Sequence, residues 1–146
     1  MKKAVLIGAL VVSVLAVFAC KSQPKPVSTE DALRKVYASH YDDLILDGAE
    51  TYTVVEGDTL SHIAGKSKYH SSFYYPIILL ASRDVVVDED KLEPGMKLII
   101  PNLQKNLDDP KAKANIKEFL LDVAKVEDTR NRAETAEDLR KLSASM

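Results

Sequence analysis

The sequence has little of several residue types, and each shortage excludes a class of protein or site. Its single cysteine, Cys20, rules out an intrachain disulfide. Its 20 basic residues are balanced by 22 acidic residues, so the chain lacks the basic excess that nucleic-acid binding requires. Only five glycines are present, and they do not form a glycine-rich phosphate-binding loop. We therefore expect no nucleic-acid partner and no nucleotide site.

The chain also lacks the side-chain combinations that enzymes and metal sites use. His62 and His70 have no free thiol to join them, and two histidines are too small a ligand set for zinc. A lytic enzyme with paired catalytic carboxylates would need a further domain, for which 146 residues leave no room. We therefore expect a protein that is not an enzyme and that has no cofactor and no metal site.

One apolar run is long, and it lies at the N-terminus. It extends over residues 4–18 and follows Lys2 and Lys3. Its fifteen residues suit the apolar region of a signal peptide and fall short of the roughly 20 that a membrane-spanning helix needs. The following run, Val17-Phe18-Ala19-Cys20, resembles a bacterial lipobox.

The lipobox resemblance implies a signal peptide over residues 1–19 and a lipidated cysteine, with palmitate-type acyl chains on Cys20. Two or more acyl chains anchor a protein stably to a membrane. The expected location is the cell envelope, on a bacterial membrane and facing the periplasm or the exterior. A secreted chain with a free N-terminal cysteine and a chain with an uncleaved anchor are the alternatives.

A linker and a helix are predicted next. Pro24 and Pro26 indicate an extended, lipid-anchored linker over residues 20–27. The sequence Ser28-Thr29-Glu30-Asp31 is typical of a capping box. An amphipathic helix is expected within residues 28–48, from about Thr29 to Leu46 with Gly48 as its stop, because apolar residues recur at three- and four-residue spacing: Leu33, Val36, Tyr37, Tyr41, Leu44 and Ile45. Its apolar stripe packs on the rest of the chain or forms a surface for a protein partner.

Residues 102–146 predict a helical C-terminal extension. Asp109 before Pro110 is a strong helix start, and a helix is expected from Pro110 to about Glu127. Its apolar face comprises Ile116, Phe119, Leu120, Val123 and Val126. After a polar break over 129–132, Thr135 is expected to open a second, short helix with a capping box.

Residues 52–101 begin and end with patterns that predict short strands. Tyr52 and Val54 fall on one face of a strand at period two, and so do Leu98 and Ile100. Strands of this length are marginal alone and need helices to cover one face.

Two helices are predicted between these strands. Gly57 suits a turn that needs a positive φ. Asp58 is a candidate N-cap for a first helix from about Thr59 to Lys66. A second helix is expected to begin at Pro76, where a missing N–H costs nothing.

The two ends of this stretch resemble the LysM family. The opening run is Tyr52-Thr53-Val54-Val55-Glu56-Gly57-Asp58-Thr59-Leu60-Ser61-His62-Ile63-Ala64, and the closing run is Leu92-Glu93-Pro94-Gly95-Met96-Lys97-Leu98-Ile99-Ile100-Pro101. The resemblance implies a LysM domain over residues 51–101. Its fold class would be α+β, a βααβ module in which a two-stranded antiparallel sheet packs on two helices.

The same resemblance implies a non-catalytic function, the binding of N-acetylglucosamine-containing glycan, which in bacteria is usually peptidoglycan. In the family the sugar lies between the loop after the first strand and the loop after the second helix. Carried over by position, the glycan-binding residues are Gly57, Asp58, Thr59, Leu60, Ala81, Ser82, Arg83 and Asp84. Leu60 is the candidate for receiving the acetamido methyl group.

Ser82 departs from the family pattern, which usually has asparagine near the end of the second helix. Serine has a shorter reach and fewer hydrogen-bonding groups than asparagine. An alternative is therefore a cell-envelope scaffold whose LysM fold binds a protein partner or an ion instead of glycan. Five acidic residues crowd the loop after the second helix and could attract a cation: Asp84, Asp88, Glu89, Asp90 and Glu93.

Overall fold

The computed structural model describes residues 27–146 of the chain. The predicted signal peptide, the predicted lipidation site Cys20 and nearly all of the predicted linker lie outside the described residues. Within residues 27–146, no helix is both long enough and apolar enough to cross a membrane.

The fold is α+β, as predicted, with a two-stranded antiparallel sheet. In the sequence, helices come before, between and after the two strands. The elements in chain order are α1 Thr29–His40, β1 Glu50–Thr53, α2 Leu60–Lys66, α3 Tyr75–Ala81, β2 Lys97–Ile100, α4 Leu103–Asp108, α5 Pro110–Thr129 and α6 Ala133–Ser145. Three short 3₁₀ turns accompany them, at Tyr41–Asp43, Ser72–Tyr74 and Glu89–Lys91.

The middle of the chain forms the predicted βααβ unit. Strands β1 and β2 pair in a register that places Tyr52 opposite Leu98. Helix α2 occupies the expected residues, and α3 begins one residue before Pro76. All seven residues of α3 are buried, because the helix lies between the sheet, α2 and α5.

Helix α1 is shorter than predicted. Ser28 caps it as expected, accepting a hydrogen bond from the Asp31 N–H at 3.1 Å. The helix ends at His40 and not near Leu46, because the buried side chain of Asn106 binds both the N–H and the C=O of Ile45, each at 2.9 Å. These bonds hold the segment extended. Gly48 is therefore not a helix stop; it lies in a turn before β1 with φ of +75°.

The C-terminal extension is helical, with two corrections to its details. Helix α5 starts as predicted, with Asp109 accepting from the Ala112 N–H at 2.8 Å. Helix α6 begins at Ala133 without a side-chain cap, so the predicted capping box at Thr135 is wrong. Helix α4 was not predicted; it has only six residues and starts at an Asn102 cap.

The flanking helices and the βααβ unit share one hydrophobic core. Helix α5 packs against α1, α4 and α6 and also contacts α3. Phe119 of α5 is fully buried, and its ring centroid lies 5.9 Å from that of Tyr37 and 5.6 Å from that of His40. His40 is itself buried, with its Nδ1 2.7 Å from Asn115 Oδ1. The predicted stripe of α1 thus packs on α5.

Candidate functional site

The first loop of the candidate site follows β1 and is organised by Asp58. Gly57 has φ of +83°, the left-handed conformation that glycine adopts without strain. The Asp58 carboxylate accepts hydrogen bonds from the Tyr52 hydroxyl at 2.7 Å and from the Val55 N–H at 3.0 Å. The predicted helix cap at Asp58 is therefore wrong. Thr59 caps α2 instead, since its Oγ1 accepts from the His62 N–H at 3.2 Å.

The hydrogen bonds of Asp58 also set the charge of this loop. The bond from the Val55 N–H, followed by that from Tyr52, lowers the pKa of Asp58 below its usual value. The same hydrogen bond to Asp58 raises the pKa of the Tyr52 hydroxyl. Asp58 is therefore ionised at neutral pH, and its carboxylate closes the turn between β1 and α2.

A cleft of about 390 Å³ lies beside this loop. One wall is formed by Asp58, Thr59, Leu60 and Ser61, and the other by residues of the loop between α3 and β2, namely Glu89, Asp90 and Leu92. Leu60 is only 3 % exposed, so it contributes little surface to the cleft. Most of the other lining residues carry a hydroxyl or a carboxylate group, so the cleft suits a ligand rich in hydroxyl and amide groups.

The four residues predicted for the second wall lie elsewhere. Ala81 is buried at the end of α3, and Ser82 is buried with its Oγ accepting from the Ile99 N–H at 2.8 Å. Arg83 lies over the ring of Tyr41, 3.6 Å from its centroid. Arg83 and Asp84 line separate depressions beside α1. The structure thus brings Asp58, Thr59 and Leu60 together with Glu89, Asp90 and Leu92 in this cleft. Gly57 and residues 81–84 do not line it.

Two arginines of the turn between α5 and α6 hold the second wall. Arg130 Nη2 donates to Asp88 Oδ1 at 2.9 Å and to Asp90 Oδ2 at 2.6 Å. Arg132 donates from Nη1 to Glu89 Oε1 and from Nη2 to Asp90 Oδ2, both at 2.5 Å. Guanidinium groups therefore pair with three of the five carboxylates that the sequence suggested for a cation. Among residues 27–146, no group of three or more potential ligands is arranged to hold a metal ion.

Two carboxylates behind the cleft, those of Glu89 and Glu127, lie in partly or fully buried positions. Glu127 of α5 is 2 % exposed, and Arg130 Nη1 donates to its Oε1 at 3.0 Å. Burial raises the pKa of Glu89, and the nearby carboxylate of Glu127 adds to that effect. The two arginines lie among these carboxylates and offset their mutual repulsion.

No local sequence pattern indicates that Glu89, Asp90 and Leu92 line the cleft. The acidic run was visible, but its pairing with Arg130 and Arg132 joins positions about forty residues apart. The local clue is Asp88, whose Oδ1 accepts from the Asp90 N–H at 3.1 Å and starts the 3₁₀ turn Glu89–Lys91. An aspartate in that position is typical of a turn.

Ser82→Ala is expected to lower the free energy of unfolding by about 1–3 kcal/mol, because it leaves the Ile99 N–H of β2 without its acceptor. Ser82→Asn is expected to cost about the same, since Ser82 is 1 % exposed and the larger side chain does not fit. Urea unfolding of both variants measures the effect. A Ser82→Ala variant as stable as the wild type would contradict this structural role.

A family model described as LysM domain matches residues 52–72. The match starts at Tyr52 in β1 and includes the first loop and α2, and therefore the whole first wall of the cleft. No curated protein and no solved structure matches the chain.

Proposed function

We propose that this chain binds peptidoglycan without catalysing a reaction on it. The chain contains a LysM domain, and modules of this family generally recognise glycans of the peptidoglycan and chitin type. The ligand is the N-acetylglucosamine-containing glycan strand. It lies in the cleft between Asp58–Ser61 and Glu89–Leu92.

The cleft is the observation that carries this proposal. Its first wall belongs to the matched segment. The cleft also lies beside the turn after β1, one of the two loops between which the LysM resemblance implies that the sugar lies. Ser61 is half-buried at the start of α2, and Asp90 is exposed on the opposite wall. Together they offer hydroxyl and carboxylate groups to sugar hydroxyls and acetamido N–H groups. A shallow, polar cleft of this kind suits weak, reversible binding.

We place the protein in the cell envelope, held to a bacterial membrane by a lipid on Cys20. The lipobox-like run before Cys20 supports this part of the proposal. An anchored chain with a glycan-binding module would connect a membrane surface to the peptidoglycan layer, or station itself there.

Sedimentation with purified, insoluble peptidoglycan tests the proposal. The chain without residues 1–20 contains all of the described residues, 27–146, and is expected to sediment with the peptidoglycan. Ser61→Arg is expected to weaken apparent affinity about tenfold, equivalent to roughly 1.4 kcal/mol, because the long side chain fills the cleft. Ser39→Arg is the matched control, since Ser39 is exposed on α1 and does not line the cleft.

The controls decide what each result means. Full binding by Ser39→Arg and weak binding by a folded Ser61→Arg would support the cleft as the glycan site. A wild-type chain that stays in the supernatant would contradict glycan binding. Equal sedimentation of the wild type and Ser61→Arg would place the glycan elsewhere.

A further inference from the structure

The second wall of the cleft depends on residues far outside the segment that the family model matches. Within residues 88–92 the hydrogen bonds are local, such as those from the Lys91 N–H to the Asp88 C=O at 2.9 Å and from the Leu92 N–H to the Glu89 C=O at 3.4 Å. The side chains of Arg130 and Arg132 tie this turn to another element, the connection between α5 and α6.

The backbone conformation of the connection between α5 and α6 directs the side chains of both arginines toward the second wall of the cleft. Asn131 has φ of +60°, a left-handed conformation that asparagine tolerates better than most residues. The Arg132 N–H donates to the Glu127 C=O at 3.0 Å, which closes the turn. As a result, Arg130 and Arg132 reach the same Asp90 oxygen, Oδ2, at 2.6 and 2.5 Å.

The two arginines differ in burial, and this separates their roles. The side chain of Arg130 is 9 % exposed and pairs with the buried Glu127. The side chain of Arg132 is 31 % exposed. It contacts Glu89 and Asp90, the two acidic residues that line the cleft, and its Nη1 also lies 3.6 Å from Glu127 Oε2. Both arginines reach Asp90 on the cleft wall, but replacing Arg132 leaves the buried Arg130–Glu127 pair in place.

We propose that Arg132 is a positioning residue for glycan binding, which makes the α5–α6 hairpin a working part of the binding unit. Its planar guanidinium spans Glu89 and Asp90 with one nitrogen on each, so it fixes their spacing and the distance of the Glu89–Lys91 turn from the first wall. This inference rests on the proposed function. The C-terminal helices would then hold the second wall of the cleft in position, through a side chain that lies outside the βααβ unit.

The test compares Arg132→Gln with Arg140→Gln in the chain without residues 1–20. Arg140 is the matched control, because its side chain is 39 % exposed and pairs with Asp128 and Glu137 away from the cleft. Two quantities are measured: amide hydrogen exchange over residues 88–92, and affinity for a soluble N-acetylglucosamine oligosaccharide. Arg132 does not line the cleft and the oligosaccharide is neutral, so charge–charge attraction to the arginine does not account for a change in affinity.

Arg132→Gln is expected to speed amide exchange at residues 88–92 and to weaken oligosaccharide affinity, each about three- to tenfold, with a thermal midpoint within about 5 °C of the wild type. Arg140→Gln should change neither quantity. Arg132→Lys should restore part of both, because lysine keeps the charge but not the two-nitrogen contact. Unchanged exchange at residues 88–92 in Arg132→Gln would overturn the inference, and so would unchanged affinity.

Two further outcomes are covered by the same design. If the wild type does not bind the oligosaccharide, the proposed function fails, and the exchange rates alone decide whether Arg132 positions the turn. If Arg132→Gln does not fold, Asp90→Ala removes the shared acceptor from the other side. A folded Asp90→Ala variant with unchanged exchange at Glu89 and Lys91 would then overturn the inference.

Discussion

Replacing Phe119 with alanine is expected to lower the free energy of unfolding by about 3–5 kcal/mol. The ring is fully buried between α1 and α5, where it contacts Tyr37 and His40, and alanine would leave a cavity there. Because the flanking helices share one core with the βααβ unit, the loss should destabilise the whole chain. Urea unfolding followed by amide resonances of Leu98 and Ile116 reports on the sheet and on α5 separately.

Both resonances are expected to lose intensity at the same urea concentration, lowered equally by Phe119→Ala. Leu121→Ala is the control on the same helix: Leu121 is 39 % exposed, and its loss should change stability by no more than about 0.5 kcal/mol. A sheet that stays folded while α5 unfolds would contradict a shared core, and the helices would then be separate attachments.

Arg130→Met is expected to cost a similar amount, about 3–5 kcal/mol, because it breaks a buried ion pair by removing one partner. Asp88 and Glu127 would lose the guanidinium that now donates to both, in a site where the side chain of Glu127 is 2 % exposed. Methionine preserves much of the volume, so charge loss is the main effect. Urea unfolding at neutral pH measures it.

Arg34→Met provides the comparison, since Arg34 forms an exposed pair with Glu30 one turn away on α1. Pairs of this kind contribute about 0.3–0.5 kcal/mol. An Arg130→Met variant no less stable than Arg34→Met would show that the carboxylates around Arg130 are not buried as described, and would remove the support for a rigid second wall.

The sequence was a good guide wherever a structural feature depends on neighbours in the chain. The positive φ of Gly57, the Asp109 cap and the buried stripe of α5 from Ile116 to Val126 all follow from local chemistry. The same reasoning failed for Asp58, because the adjacent Thr59 is an equally suitable cap. The hydrogen bond from the Tyr52 hydroxyl engages the Asp58 carboxylate, and Thr59 caps α2.

Features that depend on distant parts of the chain could not be predicted. Helix α1 ends early because Asn106, sixty-one residues further along, binds the backbone of Ile45. Residues 81–84 follow α3 directly and are the nearest in sequence to a second wall, yet the cleft uses Glu89 and Asp90. Those residues are held by Arg130 and Arg132, and no local pattern links them.

The most direct measurement of the central claim is a titration of the isotope-labelled chain, without residues 1–20, with a soluble N-acetylglucosamine oligosaccharide, followed by amide chemical shifts. A glycan in the described cleft should shift the resonances of residues 58–61 and 89–92 together, with smaller changes elsewhere. Shifts confined to residues 82–85 would instead place the sugar at the wall that sequence position alone suggested. An unchanged spectrum at millimolar oligosaccharide would contradict glycan binding by this cleft.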